Sequence, residues 1–502
     1  WPKFTMKGRQ VSSTDNELQA RNDWYSLLSS VSKTLVGSLI QPYMEWETER
    51  YSGSGYAPSD RGLRLDFDEI RLGGQLGSEN SRLWMFFEQR FESDDAKLAP
   101  TNSIQTLQTK WAFQRDSALR TGFSVGIRRI ATDSGPTASN APAQNSLLLG
   151  VDGEWNAGVQ NRLSWLYQVQ SEQTSRLQEI YIRTGQERGE YVWEDFNSDG
   201  VIQIEEFIPE TTPNEGEYAL TYFPSDSLEF VTSLTASTRY NRTGGGTGNR
   251  LGRIGLSTVV EVSEKTRDPE RSHVYLLQLG SFRSSDYTVN GRLRVGQEFR
   301  FLPSNTRYDL DVSGSEIWAF TDLASGEQRT RTSEWNALLG FRPSVVWGLA
   351  SRITRRIDNS EAGFASRSFN IEGFEWNPSV SYRPIQEWLF TLGAQLANRT
   401  DRNQGTKAQA VQIPLSIQYQ SGTKWTARAR VEMASIKLDG ASVGLQTFHL
   451  TEGRGAGSSW LWGLSLNARL TDVLTASFGY DGRAPNRGNT IHTGRIQFTA
   501  RF

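Results

Sequence analysis

A twelve-residue acidic stretch near the middle of the chain has the spacing of a calcium-binding loop. It reads DFNSDGVIQIEE and covers residues 195–206. Calcium takes about six to eight oxygen ligands, which an EF-hand loop supplies from alternate positions and from a final bidentate glutamate. The geometry of Mg²⁺ is tighter, so Ca²⁺ is the favoured ion. The predicted ligands at these positions are Asp195, Asn197, Asp199, the Val201 carbonyl, Gln203 and Glu206.

The residues around this loop do not resemble helices. Tyr191 and Trp193 lie two positions apart, as on one face of a strand, and two prolines follow the loop. A sensor EF-hand acts by moving its helices, so a structural role for calcium is expected here. Ile202, at the eighth position, is predicted to anchor the loop. Since an insert at residues 185–217 would have little core of its own, a bound cation would fix its shape. The alternative is an acidic surface turn without metal.

No catalytic residue is predicted, and the chain is not expected to be an enzyme. The absence of cysteine excludes a thiol nucleophile and cysteine-ligated metals. The three histidines are far apart in the sequence. Adjacent carboxylates such as Glu205 and Glu206 would point to opposite faces of a strand. The glycine-rich residues 243–250 lie between predicted strands, not before a helix. A net charge of −2 gives no reason to expect nucleic-acid binding.

The elements that must position the acidic loop are long strands of alternating polarity. In residues 460–470, Trp460, Trp462, Leu464 and Leu466 alternate with mostly polar residues, and residues 425–433 show the same pattern. Soluble strands usually have about 5–6 residues, whereas these have roughly 10–14, enough to cross a membrane at a tilt. The chain holds about 20–26 such segments. No run of about 18 apolar residues predicts a membrane helix.

Aromatic residues recur at the predicted turns. FRPSVVW (residues 341–347) is followed 41 positions later by YRPIQEW (382–388), and YQSGTKW (419–425) keeps the same aromatic-to-tryptophan spacing. Proline suits a turn because its missing N–H is not needed there. Aromatic residues at both edges of the turns predict a girdle at the membrane interface. The alternative, a β-propeller, also repeats about every 40–45 residues but needs four short strands in each repeat.

The C-terminal strand, HTGRIQFTARF, ends in Phe502. It resembles the closing strand of bacterial outer-membrane proteins, which commonly ends in phenylalanine and is the signal for assembly. This resemblance implies the barrel assembly machinery as a partner. YVWEDFNSDGVIQIEEF (residues 191–207) and the last 25 residues resemble segments of large outer-membrane barrels of Bacteroidota and their relatives. The acidic loop also resembles inserts in the type IX secretion translocon barrel.

Taken together, these patterns predict an all-β protein, a transmembrane antiparallel β-barrel of about 20–26 strands in the bacterial outer membrane. The barrel is expected to span residues 21–502, with the calcium loop inserted at 185–217 and a polar segment at 1–20 outside the strands. The lack of a plug domain before the first strand argues against a TonB-type receptor. A wide barrel leaves a lumen, which favours a channel or transport protein embedded in membrane lipid. A scaffold or anchoring subunit of a cell-surface complex is the alternative.

Overall fold

Antiparallel strands account for most of the chain in the computed structural model. The structure describes all residues except 16–19, 36–38, 55–64, 79, 95–99, 133–143, 186–187, 211–214, 245–253, 271, 302–306, 365–366, 423, 441–443, 472, 487–489 and 501–502. Within the described ranges, the helices are all too short or too polar to cross a membrane.

The described residues contain 25 strands, two short α-helices and two single-turn 3-10 helices. The strands are β1 Lys3–Asp15, β2 Ala20–Ser32, β3 Ile40–Ser54, β4 Leu65–Gly77, β5 Ser81–Asp94, β6 Pro100–Arg115, β7 Leu119–Thr132, β8 Gln144–Ala157, β9 Asn161–Arg183, β10 Tyr191–Trp193, β11 Phe207–Pro209, β12 Tyr218–Arg242, β13 Ile254–Thr266, β14 Thr288–Phe301, β15 Tyr308–Leu323, β16 Gly326–Phe341, β17 Trp347–Ala362, β18 Phe369–Tyr382, β19 Trp388–Gly393, β20 Gln395–Asp401, β21 Lys407–Ser421, β22 Trp425–Asp439, β23 Gly457–Arg469, β24 Leu474–Ala484 and β25 Ile491–Ala500. The helices are α1 Ser272–Tyr275, α2 Gly444–Thr451, and the 3-10 turns Ile204–Glu206 and Leu279–Ser281.

The chain divides into two compact units. Unit 1 comprises residues 1–173, 230–238 and 268–279, and unit 2 comprises the remainder. In unit 1, β1 to β8 and the first part of β9 form a meander in which each strand pairs with the next. Most of the described part of the segment predicted at residues 1–20 therefore belongs to the sheet. Lys3–Asp15 pair with β2 along their whole length, because backbone hydrogen bonds can hold a strand whose side chains are mostly polar.

Unit 2 continues the same pattern from β13 to β25. β19 and β20 are one interrupted strand, since both pair with β18 on one side and β21 on the other. The interruption at Ala394 lies beside Pro378 of β18 and near Pro414 of β21. Proline has no N–H to donate to a strand ladder, which explains why the assignment breaks at this point.

Counting β19 and β20 as one strand, and leaving out the short β10 and β11, gives 22 long strands in the described residues. Most of them have 13–16 residues, enough for a tilted membrane crossing. The strand number lies within the predicted range. The fold class is the predicted one, a transmembrane antiparallel β-barrel.

One face of the long strands carries exposed apolar side chains and is called the lipid face here. In unit 2 it includes Trp335, Val431, Trp460 and Leu464, which are all exposed. Leaving such a row of large apolar side chains in water would be unfavourable, whereas hydrocarbon accommodates it. This row is the surface that a membrane-spanning barrel presents to lipid, as the sequence predicted.

The predicted aromatic girdle is present at the turns of unit 2. Aromatic residues on adjacent strands meet in pairs, with ring centroids 4.9 Å apart for Tyr308 and Phe341 and 4.5 Å apart for Trp347 and Tyr382. Trp388 and Tyr419 form a third pair at 4.8 Å. Their amphipathic rings suit the membrane–water interface.

The face opposite the lipid face is not polar throughout. Near α2 it carries two small apolar clusters, the first of Phe369, Ile371, Ala408 and Leu450 with Leu438 and Leu445, and the second of Ala397, Ala410 and Ile436. These clusters lie beside charged residues on the same face. Apolar residues are favourable at these positions because α2 covers the first cluster and removes it from water.

Candidate metal centre

The acidic loop connects two short strands. β10 and β11 form a hairpin in which Trp193 pairs with Phe207 and Val192 with Ile208. A single 3-10 turn, Ile204–Glu206, precedes β11. The loop is therefore bracketed by strands, as the alternation of Tyr191 and Trp193 predicted. A paired hairpin fixes the two ends of the loop without any element that could swing like an EF-hand helix.

The three predicted carboxylate ligands lie together. Asp195, Asp199 and Glu206 each offer an oxygen within 4.8 Å of the others. Their environments differ, since Asp199 is exposed, Asp195 is half-buried and Glu206 is 1% exposed. Three converging carboxylates repel one another unless a cation lies between them.

The three other predicted ligands meet the carboxylate of Asp199. The Asn197 and Gln203 amides donate to its Oδ2 at 2.9 and 2.7 Å, and the Val201 backbone N–H donates to its Oδ1 at 2.7 Å. The structure thus brings the three carboxylates together, while ligation by the Asn197 and Gln203 amides and the Val201 carbonyl stays a prediction.

Backbone geometry turns the chain tightly around the Asp195 side chain. Ser198 and Gly200 both have positive φ angles, 60° and 71°, in the left-handed region that glycine adopts at little cost. The Gly200 N–H donates to Asp195 Oδ2 at 2.9 Å. Gly200 thus allows the chain to turn sharply at this position.

Glu206 has one carboxylate oxygen in use and one free. Its Oε2 accepts hydrogen bonds from the Trp193 indole N–H at 2.8 Å and from the Gln203 backbone N–H at 3.3 Å. Its Oε1 is buried and has no hydrogen-bond partner among the described residues. A buried carboxylate oxygen without a partner is costly, and a cation ligand would satisfy it. The residues present therefore fit a hard cation that takes oxygen ligands.

The loop is anchored by residues other than the predicted one. Ile202 is 55% exposed, so the prediction that it anchors the loop is wrong. Phe207 takes this role instead, stacking on Tyr181 with centroids 3.9 Å apart and meeting Tyr218 edge-on at 4.9 Å. The insert therefore has an aromatic core, contrary to the expectation that it has little core of its own. The alternation of the flanking strands points Phe207 inward and leaves the middle of the loop in solvent.

A buried arginine, missed by the sequence analysis, supports the loop from a distant part of the chain. Arg367 forms an ion pair with Glu179 at 2.9 Å and donates to the Ile204 carbonyl at 2.6 Å and to the Tyr181 hydroxyl at 3.1 Å. It follows β17, more than 150 positions after the loop. No local pattern in the sequence signals such a contact.

Helix α2 lies against the 3-10 turn Ile204–Glu206 and β11. Its residues Phe448 and His449 also line a cavity of about 530 Å³ on the side of the strands away from the lipid face. Burial lowers the pKa of His449, so its imidazole stays neutral near pH 7. The helix thus connects the candidate metal loop with the cavity.

Paired charges line this cavity. Arg356 bonds Asp358 with 2.5 Å between Nε and Oδ2, and Arg399 lies 3.3 Å from Glu375. Arg399 also pairs with Glu452, which follows α2. Such opposed charges on a face shielded from lipid are typical of a polar barrel lumen.

Comparison with known proteins yields distant structural similarities. No family model matches the chain and no curated protein matches it. Among solved structures, it is similar to the siderophore receptor PirA from Acinetobacter baumannii, with 9% identity, 96% of this chain and 76% of that chain covered, and a TM-score of 0.36. It is also similar to PirA from Pseudomonas aeruginosa, with 8% identity, 99% of this chain and 79% of that chain covered, and a TM-score of 0.37. For the FrpB iron transporter from Neisseria meningitidis, F3-3 variant, the identity is 10%, the coverage is 100% of this chain and 81% of that chain, and the TM-score is 0.37. These values are too low for a residue role or a ligand to be transferred.

Proposed function

We propose that this protein is an outer-membrane transport barrel whose lumen is narrowed by α2 and whose acidic loop binds one structural calcium ion. The observation that carries the transport role is the polar cavity of about 530 Å³ on the face away from lipid. A purely structural wall would not need paired charges such as Arg356 and Asp358 there, because burying them costs desolvation energy.

The strand number supports the same role. Barrel diameter grows with strand number, and barrels of about 22 strands enclose a wide lumen that folded segments fill in part. Here α2 supplies one such segment, held by the Arg399–Glu452 pair and by a buried hydrogen bond from Gln446 to Asp401. A solute passing through the lumen of unit 2 would meet the charges beside this helix.

Single-channel conductance in planar bilayers tests the transport role. We expect small or intermittent currents from the wild-type chain and larger ones when residues 444–451 are replaced by a short glycine-serine turn. Replacing residues 485–486, in another connection of unit 2, is the matched control and should leave the current unchanged. Mobility on unheated gels verifies that each barrel is folded. Folded barrels that stay silent with and without α2 would contradict transport and favour the scaffold alternative.

The calcium proposal rests on the buried Glu206 Oε1, which has no hydrogen-bond partner among the described residues, and on its convergence with the carboxylates of Asp195 and Asp199. When bound, the ion would supply positive charge that offsets the repulsion between the carboxylates, with Asp195, Asn197, Asp199, Val201 and Glu206 as direct ligands. Gln203 would complete the set directly or through water.

Terbium luminescence tests this site directly. Because the Trp193 indole lies 2.8 Å from Glu206, excitation of tryptophan should sensitise Tb³⁺ bound in the loop, and Ca²⁺ should compete. Glu206→Gln should abolish the signal, whereas Asp268→Asn, which changes an acid outside the loop, should leave it intact. An equal signal from wild type and Glu206→Gln would show that the loop is only an acidic turn.

A proposal about biogenesis follows from the C-terminal strand. β25 pairs with β24 over ten positions and exposes Ile496 and Phe498 on one face. We propose that this strand, ending in Phe502, is recognised by the barrel assembly machinery. Phe502 itself lies outside the described residues. An origin among Bacteroidota-type barrels and a type IX secretion role both rest on sequence resemblance alone. Co-purification of surface-complex subunits from native membranes would test the secretion role.

A further inference from the structure

A charged groove lies on the lipid face of unit 2, where the apolar band ends. On β17 the exposed Ile353 is followed two positions later by Arg355, and on β18 the exposed Phe374 is preceded two positions earlier by Glu372. Residues two apart on a strand share a face. On β17 this face continues with Ile357 after Arg355, and Ile357 lies opposite Glu372. Arg402, in the turn after β20, lies at the same edge of the apolar band.

One carboxylate holds two guanidinium groups in this groove. Glu372 accepts from Arg355 at 2.8 Å through Oε1 and from Arg402 at 2.6 Å through Oε2. The cluster therefore has one more positive than negative charge. Both arginine side chains remain largely exposed, at 62% and 63%. Since a guanidinium has five N–H donors in a fixed fork, each retains donors for a further acceptor.

The groove between these residues has a volume of about 240 Å³. Asn398 and Thr400 of β20 add polar atoms to its wall, and Phe374 adds an apolar ring. The groove is thus cationic toward the strand ends and apolar toward the middle of the strands.

We propose that this groove binds the phosphate of a membrane-lipid headgroup. Guanidinium groups bind phosphate oxygens through paired, charge-assisted hydrogen bonds. The level of the groove, directly beyond the apolar band, is where headgroups meet a barrel wall. An acyl chain attached to the phosphate can lie along Phe374 and Ile353, and free phosphate would gain nothing from these two side chains. This asymmetry favours a lipid over a soluble anion.

Native mass spectrometry of the detergent-purified full chain tests the proposal. The chain is titrated separately with phosphatidylglycerol, phosphatidylcholine and inorganic phosphate. We expect preferential binding of phosphatidylglycerol. Its affinity should fall about fivefold in Arg355→Gln or Arg402→Gln and about twentyfold in the double variant, because these factors correspond to the binding free energy that each arginine usually contributes near a lipid surface.

Arg356→Gln is the matched control, because Arg356 neighbours Arg355 in the chain but faces Asp358 on the other side of the strand. It should leave lipid binding unchanged. Unheated-gel mobility confirms that every variant is folded. Undiminished lipid binding by the double variant, or an equal loss in Arg356→Gln, would overturn the proposal, leaving an ordinary solvated ion pair. Binding of inorganic phosphate as tight as that of phosphatidylglycerol would overturn the assignment to lipid.

Discussion

Removing the Arg367 guanidinium should loosen the acidic insert more than removing its whole ion pair. Arg367→Met leaves Glu179 buried without its positive partner, since the two side chains are only 10% and 6% exposed. The Tyr181 hydroxyl, which donates to Glu179 at 3.0 Å, cannot neutralise its charge. Breaking a buried pair on one side costs about 3–5 kcal/mol, whereas replacing both charged groups is often close to neutral. The Ile204 carbonyl also loses a donor at 2.6 Å, which adds about 1 kcal/mol.

Hydrogen exchange over residues 190–209 measures this effect. We expect Arg367→Met to raise local opening of β10 and β11 by a factor of about 10² or more, as an opening cost lowered by about 3 kcal/mol requires. Arg367→Met combined with Glu179→Gln should recover most of the protection. The strands of unit 2 far from the insert, such as β22, provide the internal control.

If the single and double variants lose the same protection, the buried charge of Glu179 is not the cause. The contribution of Arg367 would then come from its bonds to Ile204 and Tyr181 alone. If neither variant changes exchange, the insert is held by the Phe207 stacking, and the reasoning from the buried ion pair is refuted.

Three further predictions test the faces, the last strand and a loop. Arg at Leu464, on the lipid face, should destabilise the barrel by about 2–4 kcal/mol in a denaturant titration, whereas Arg at Ser465 should be tolerated, and equal effects would refute the assigned faces. Deleting residues 497–502 should prevent membrane insertion, because an incomplete edge strand leaves backbone groups unsatisfied in hydrocarbon, and normal membrane levels would contradict this. The hydrogen bond with Asp268 raises the pKa of His273. This contact should therefore stabilise the segment around α1 below about pH 6.5, and the stabilisation should be lost as the pH rises through the folded-state pKa. Asp268→Asn should remove the pH dependence of hydrogen exchange in this segment.

The strands and the turn of the acidic loop were predictable because both depend on short-range spacing. Period-two alternation marks β22 and β23, and the aromatic turns mark where strands end. The spacing of residues 195–206 singled out three carboxylates that the structure brings together, whereas calcium binding there stays a prediction. In each case the chemistry is carried by residues within about a dozen positions of one another.

The missed features depend on contacts between distant positions. Arg367 supports the acidic loop from a turn that shows no signal of its own. Ile371 and Ala408 are apolar residues on the face away from lipid. They are favourable there only because α2, from another connection, covers them. β1 was missed because its side chains alternate weakly and its pairing with β2 depends on the backbone.

The two prolines beside Ala394 have a mechanical consequence. Pro378 still accepts a hydrogen bond from the Ala394 N–H at 3.0 Å, but neither Pro378 nor Pro414 can donate one. The barrel wall therefore lacks backbone hydrogen bonds at one level across three neighbouring strands. Elastic deformation of the wall should concentrate at this level, since bending there breaks fewer backbone hydrogen bonds than bending elsewhere. A widening of the lumen by solute would then be accommodated at β18 to β21, directly behind the cavity beside α2.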